Sequence, residues 1–390
     1  MVKYLVIVAA LAGCIDTTLT APYRAEVLVR DVDHHYALQD VDLPDLTSMA
    51  PLADPMLRFS DHPNFDEDKL ADYDASTFSA RADYSPRVRD AGGVAVARDI
   101  ESLLTLSAYH VFKGVFMRAQ EVYGPLDQLL PDGGFQILVE PKFSSVLGSQ
   151  ELGTNAAYIS GGQAFLLVQM SSLEQVPLGM NPSVLSHEFG HHVFQITFGV
   201  ADGTCHPDSP EPGPTPPGRF SSTFAVSGFN EGFADFTAFA LQQETHVLAD
   251  SIPALDKGER TIDKRVPGYL DFTYSTIDRC GDSFYCIGTL WARAVYETYL
   301  STGARPDDLS TRSAYARTIV AAVAGIPVRM RQRAGWPAPT KPCEFSELDE
   351  DGPVMQAYLE AFIAGLPVSL QPTMCSELGD RFALRLAGCP

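Results

Sequence analysis

Between Asn181-Pro182 and Gly199 the chain carries His187-Glu188-Phe189-Gly190-His191, two imidazoles four positions apart with a carboxylate beside the first. On an α-helix, positions i and i+4 share a face, so both rings can reach one metal ion. Zinc suits imidazole and carboxylate donors, and a catalytic zinc site uses three protein donors with water in the fourth position. Glu188 is then placed to hold that water and take its proton. Leu185, Phe189 and Val193 supply an apolar stripe, which places the pattern on an amphipathic helix; the alternative is two satisfied histidines and a solvated Glu188. His192 is turned about 100° from His191 around the helix axis and is read as no ligand. His206, in a proline-rich loop, and His246, at a helix end, are read as surface groups.

A third donor is needed. The metzincin arrangement would require Gly at 194 and His at 197, where this chain has Phe194 and Thr197, so that branch is excluded. The other branch takes a glutamate from a later helix, and Asn230-Glu231-Gly232-Phe233-Ala234-Asp235 fits it. Glu231 would bind the metal. Asp235, one turn on, would accept from the second nitrogen of a ligand histidine, fixing its tautomer and strengthening it as a ligand. Without the upstream histidines the same two acids would read as an exposed helix pair.

With these residues in place the chain resembles the gluzincin metallopeptidases and, within them, the thermolysin-like proteases. Asn155-Ala156-Ala157-Tyr158 is similar to the Asn-Ala-aromatic edge strand along which that family lays its substrate, which marks Asn155, Ala156 and Tyr158 as substrate-binding. The segment 99–123 resembles the family's long helix before that sheet, and the helical segments after Glu231 resemble its second half. The resemblance spans about residues 99–300 and implies a zinc-dependent endopeptidase. His187, His191 and Glu231 would hold one Zn²⁺, Glu188 would act as general base, and an extended peptide would add to strand 155–158 through its backbone. There are departures. The gap from His191 to Glu231 is longer than usual, and a proline-rich loop accounts for it. The family's transition-state histidine has no evident counterpart. Tyr285, in Asp282-Ser283-Phe284-Tyr285-Cys286-Ile287-Gly288, stands near its expected place, and its hydroxyl could donate to a developing oxyanion. Tyr285 as ordinary packing, and Tyr274 as a competitor, stay open. Calcium is common in the family, but Asp66-Glu67-Asp68, Asp72 and Asp74 lack the spacing of a calcium loop and read as a solvated surface.

The elements that must position these groups follow from apolar spacing and from breakers. Leu104, Ala108, Val111, Val115, Ala119 and Val122 recur at helical spacing from Asp99 until Gly124-Pro125 stops them. Phe135 to Val139 reads as a buried strand. Ala157–Ser160, a Gly161-Gly162 turn and Ala164–Gln169 read as a hairpin. Asn181-Pro182 is a helix start, an N-cap with proline at the first helical position. Residues 201–219 form an exposed loop, with helical runs near 228–243, 288–301 and 353–364. Alternation at Ala25, Val27 and Val29 suggests one earlier strand. The expected fold is therefore α+β: a thermolysin-like zincin with an N-terminal sheet-plus-helix half, a mostly α-helical C-terminal half, and the active site between them.

At 390 residues the chain has room for roughly two to three domains. Its formal charge of −21 argues against electrostatic nucleic-acid binding. Met1-Val2-Lys3 followed by an apolar run to Gly13 has the grammar of a secretory signal. Leu11-Ala12-Gly13-Cys14 resembles the lipobox of bacterial lipoproteins. That implies cleavage before Cys14, a lipid on Cys14, and a protein anchored on the periplasmic or surface side of a bacterial membrane. A plain signal peptide with an incidental Cys14 is the alternative. The other six cysteines are an even number, as an oxidising compartment favours, and nearness pairs Cys280 with Cys286. The expected organisation is a signal peptide over 1–13 and an acidic region over 14–95 serving as tether, pro-segment or small domain. An α+β half with the metal helix follows over 96–225, and a mostly helical half with the third ligand and the disulfides over 226–390.

Three rivals to the peptidase stand: a zinc-holding envelope lipoprotein that binds peptides without cleaving them, a zinc hydrolase of non-peptide esters or amides, and a binding lipoprotein with an accidental motif. The missing histidine favours the first. Glu188 speaks against it, because a purely structural site has no use for a base beside its ligands.

Overall fold

Asp99 and Gly124 bracket the first long helix, α1 (Ile100–Tyr123). The Asp99 carboxylate accepts from the Ser102 N–H at 2.8 Å, and Gly124 ends the helix at a φ of 99°, a conformation open mainly to glycine. Leu104, Ala108, Val111, Val115, Ala119 and Val122 are all buried, so the helical spacing of the sequence is the face that packs inward. The computed structural model describes residues 19–61, 64–65, 82–124, 130, 134–139, 142–143, 156–159, 164–167, 176–198, 222–247, 251, 260–263, 280, 283–334 and 354–389. Cys14, Asn155, Cys205, Tyr274, Cys343, the acidic stretch Asp66–Asp74 and the proline-rich loop 201–219 lie outside them.

The strands, in chain order, are β1 (Tyr23–Arg30), β2 (Tyr36–Leu43), β3 (Ser48–Met49), β4 (Leu52–Ala53), β5 (Leu57–Asp61), β6 (Asn64–Phe65) and β7 (Ala82–Asp83). They continue with β8 (Val88–Asp90), β9 (Ala95–Ala97), β10 (Phe135–Val139), β11 (Lys142–Phe143), β12 (Ala156–Ile159) and β13 (Ala164–Leu167). One sheet has the order β2-β1-β9-β8, and a second the order β12-β13-β10-β5-β4-β3 with β7 beside β5. A short parallel pair joins β6 to β11. Strand β10 lies parallel to both β13 and β5, and its nearly unbroken apolar run suits a strand covered on both faces. Strand β12 runs antiparallel to β13, with Ala157 opposite Leu166, and forms the edge of the sheet among the described residues.

The sheet crosses the boundary that composition suggested at residue 95. Strands β3 to β5 come from the acidic region, yet they lie in the same sheet as β10, β12 and β13. Leu57 and Phe59 are fully buried there, and it is this apolar face, not the average acidity of the region, that sets the pairing.

The C-terminal half is helical, giving a mixed α+β protein: α2 (Pro182–Phe198), α3 (Ser222–Gln242), α4 (Phe284–Ser301), α5 (Leu309–Ala324), α6 (Ile326–Ala334), α7 (Val354–Ala364) and α8 (Gln371–Phe382). Helix α3 begins earlier than its apolar spacing indicated. Helix α4 also starts early, because the Ser283 hydroxyl accepts from the Cys286 N–H and caps it. Of the helices not placed from sequence, α5 has an alanine-rich composition that blurs its apolar face, and α8 is short.

Helix α2 is the seam between the halves. On one side Phe189 meets Phe116 of α1 with ring centroids 5.2 Å apart, and Phe116 stacks on Phe135 of β10 at 5.0 Å. On the other side Phe194 meets Phe233 of α3 at 5.7 Å. Each such pair contributes about 0.5–1.5 kcal/mol beyond the area it buries. Glycines then allow close helix crossings. A Cβ on Gly190 would stand 2.6 Å from the Ala234 Cα, and one on Gly288 would stand 2.6 Å from the Gly232 N. Disulfides join Cys280 to Cys286, the pair nearness favoured, and Cys375 to Cys389. No helix among the described residues is long and apolar enough to cross a membrane.

Candidate metal centre

Because α2 turns 100° per residue, His187 and His191 emerge on the face it presents to α3, and the Gly190–Ala234 contact brings α3 close enough for Glu231 to join them. The Nε2 atoms of His187 and His191 are 3.1 Å apart. Glu231 Oε2 is 3.3 Å from His187 Nε2, and Oε1 is 3.7 Å from His191 Nε2. Donors about 2.0–2.1 Å from a tetrahedral ion stand about 3.3–3.4 Å from one another, so this triangle is close to the base of a zinc tetrahedron.

The tautomers point the same way. His187 Nδ1 lies 3.0 Å from Asp235 Oδ1, and His191 Nδ1 lies 3.0 Å from Asn230 Oδ1. Both partners are acceptors, so each Nδ1 carries hydrogen, and in the neutral form of each ring the Nε2 lone pair points towards the other ring and towards the Glu231 carboxylate. Converging lone pairs in a buried place are costly unless a positive charge relieves them; here a proton on His187, the Arg260 Nη2 3.4 Å from His187 Nε2, or a metal ion can do so. The donor set fits zinc, and with His187 neutral the carboxylates of Glu188, Glu231 and Asp235 outnumber the Arg260 guanidinium among the described residues of the site, a charge that suits a divalent ion.

Without an ion, protons feel this charge. Burial and Arg260 oppose a charged His187, but Asp235 and Glu231 outweigh them and hold its pKa up at about 9. Burial opposes ionisation of Glu231, yet His191, Arg260 and His187 hold it well below the usual carboxylate range. Burial pushes Glu188 up to about 7, with the neighbouring His187 resisting and Glu231 assisting. The Glu188 carboxylate is fixed across the seam, where its Oε2 accepts from the Tyr158 backbone N–H of β12 at 2.8 Å. The candidate base therefore touches both the metal helix and the edge strand.

Ala156 and Tyr158 of the expected substrate strand are buried on β12. Tyr285 stands in the first turn of α4, 43% exposed, with its ring centroid 4.8 Å from the Arg260 guanidinium carbon. Sequence reasoning missed Arg260. Its Nη2 donates to Asp235 Oδ1 at 2.8 Å and to Glu231 Oε2 at 2.9 Å. No local pattern marks it, since the sequence around it, Asp256-Lys257-Gly258-Glu259-Arg260, has no motif spacing that relates it to the histidines. Its position is held by the next residue: Thr261 forms a β-bridge with His246, and Ile262 N–H donates to the Thr245 carbonyl at 3.1 Å. His246 is accordingly no free surface group but half-buried, with its Nδ1 3.2 Å from the Thr261 hydroxyl. Asn230 was also passed over, although an amide next to a carboxylate ligand is a usable signal. His192 is buried on the opposite side of α2 from the triangle, against Phe135 and Tyr158.

No family model matches the chain, and no curated protein matches it. Among solved structures it is similar to the precursor of protealysin, a metalloproteinase from Serratia proteamaculans. The TM-score is 0.45 and the identity 10%, over 84% of this chain and 88% of that one.

Proposed function

We propose that this chain is a zinc metalloendopeptidase of the thermolysin-like type. The observation that carries the proposal is the convergence of His187 Nε2, His191 Nε2 and the Glu231 carboxylate at 3.1–3.7 Å, with Glu188 beside them. His187, His191 and Glu231 would hold Zn²⁺, which supplies Lewis acidity towards a carbonyl and lowers the pKa of a water in the fourth position. Asp235 and Asn230 favour hydrogen on each Nδ1, the tautomer in which Nε2 is the metal-binding atom. Glu188 takes a proton from the attacking water and hands it to the leaving amine, a task its raised pKa suits. Arg260 is a buried cation whose Nη2 is held by Glu231 and Asp235, and the partly exposed Tyr285 beside it is the proposed donor to the oxyanion. An extended peptide would add to β12 along Asn155, Ala156 and Tyr158, binding by backbone hydrogen bonds.

We further propose that residues 1–13 are a signal peptide and that a lipid on Cys14 anchors the exported protein in the bacterial envelope. The N-terminal pattern and the two disulfides support export. Calcium is not part of the proposal. The absence of an evident transition-state histidine favours a second reading, a zinc-binding lipoprotein that holds peptides without cleaving them. Zinc content and peptide cleavage, measured on wild type and Glu188→Gln, decide between the two. The peptidase should bind one zinc in both forms and lose at least about 100-fold in kcat in the variant. A zinc-loaded wild type that leaves peptides intact favours the second reading. A fully active Glu188→Gln removes Glu188 from its role.

A further inference from the structure

His192 follows a candidate metal ligand directly in sequence but faces the other way. It is 1% exposed and packs edge-on against Phe135 of β10, ring centroids 4.7 Å apart. Its Nδ1 lies 2.7 Å from the Tyr158 hydroxyl. Burial holds that phenol well above its ordinary pKa, so it stays a neutral hydroxyl that shares one hydrogen with the ring nitrogen. Tyr158 is bound twice to α2, by its hydroxyl to His192 and by its backbone N–H to Glu188 Oε2 at 2.8 Å. The two attachments, four residues apart on α2, clamp the end of an edge strand that has only β13 beside it among the described residues.

We propose that His192 is a positioning residue for the general base: by anchoring the Tyr158 hydroxyl it fixes the strand β12 backbone, and the Tyr158 N–H then holds the Glu188 carboxylate in place. The inference rests on the peptidase reading for its catalytic consequence and on geometry alone for the clamp. A carboxylate with one oxygen tied to a fixed N–H presents the other in a defined direction, whereas a mobile strand would let it rotate. The clamp also sets the height of the strand to which an extended peptide would add. His192 would therefore act on kcat through Glu188, without touching substrate or ion.

Two substitutions separate a hydrogen-bonding role from a packing role. His192→Phe keeps an aromatic ring against Phe135 but offers the Tyr158 hydroxyl no hydrogen-bond partner. His192→Asn keeps an acceptor near the Nδ1 position but gives up the ring. With zinc content at the wild-type level, kcat should fall about tenfold in His192→Phe and in Tyr158→Phe, with KM little changed. The double Phe variant should be no worse than either single one, and His192→Asn should lie closer to wild type. Amide hydrogen exchange on the metal-free full chain gives a reading independent of catalysis. The Tyr158 N–H should exchange about tenfold faster in His192→Phe than in wild type. Phe variants with wild-type kcat and wild-type exchange overturn the proposal and leave the peptidase reading intact. A His192→Asn variant worse than His192→Phe assigns His192 to packing and also overturns it. A zinc-loaded wild type that cleaves no peptide overturns the peptidase reading and the positioning of a base with it, whatever the exchange rates.

Discussion

The proton on His187 is the competitor that zinc must displace. In the metal-free protein, burial and Arg260 disfavour the imidazolium, but Asp235 and Glu231 hold the pKa at about 9, so at neutral pH the ring is protonated. Zinc binds only the neutral ring, and binding therefore releases that proton. Apparent zinc affinity should rise with pH up to about 9 and fall about tenfold for each unit below it through this group alone. Competition with a chelator of known affinity across neutral pH measures the slope, and a flat response would mean that His187 is already neutral. A second expectation concerns Asn230, whose carbonyl oxygen accepts from His191 at 3.0 Å. Asn230→Ala should weaken zinc about 10–100-fold while leaving the fold intact, as removing an orienting partner does elsewhere. Unchanged affinity in the same titration would place the orientation of His191 in other hands.

Among the elements, the crossing of α2 and α3 decides whether the site exists. Glu231 reaches the imidazoles because Gly190 lets the Ala234 backbone come close, and no rotation of a side chain could relieve the 2.6 Å contact that a Cβ there would make. Gly190→Ala should cost about 1–3 kcal/mol in overpacking and also weaken zinc binding, because separating the helices carries Glu231 away from the histidines. Gly114→Ala is the control: α1 has open space around that position, so replacing a helical glycine should be neutral or stabilising by up to about 1 kcal/mol. Chemical denaturation and zinc titration of both variants test the pair. Equal stabilities would show that the α2–α3 spacing is soft. The ends of α1 and the start of α2 are local matters, set by Asp99, Gly124, Asn181 and Pro182, and they were legible for that reason.

For the whole molecule, the halves are joined by packing along α2 and the C-terminus is closed by a covalent link. The Cys375–Cys389 bridge, with a sequence separation of 14, ties the chain beyond α8 back onto that helix, which packs on α4. Constraint of an unfolded loop of this size is worth roughly 3 kcal/mol. Replacing both cysteines by serine should lower the unfolding free energy by about that amount under non-reducing conditions, with zinc content unchanged. A variant as stable as wild type would mean that the native state is strained by the bridge as much as the unfolded state is constrained by it.

What the sequence determined by itself is whatever depends on neighbours a few residues away. The spacing of His187 and His191 puts them on one helical face because backbone hydrogen bonds fix the period. The apolar run Phe135–Val139 is a central strand, and the cysteines six apart are bridged. Glu231 stands 40 positions from His191, and no local rule reaches that far; it was legible only through a resemblance between motifs. The tertiary structure decided the rest. It brought Arg260 onto Glu231 and Asp235, set Asn230 behind His191, tied Tyr158 to His192, and ran one sheet through the boundary at residue 95. Each of these depends on which faces of distant elements pack together. That choice is made by the summed burial of many apolar side chains, so no single residue or short spacing carries a sign of it.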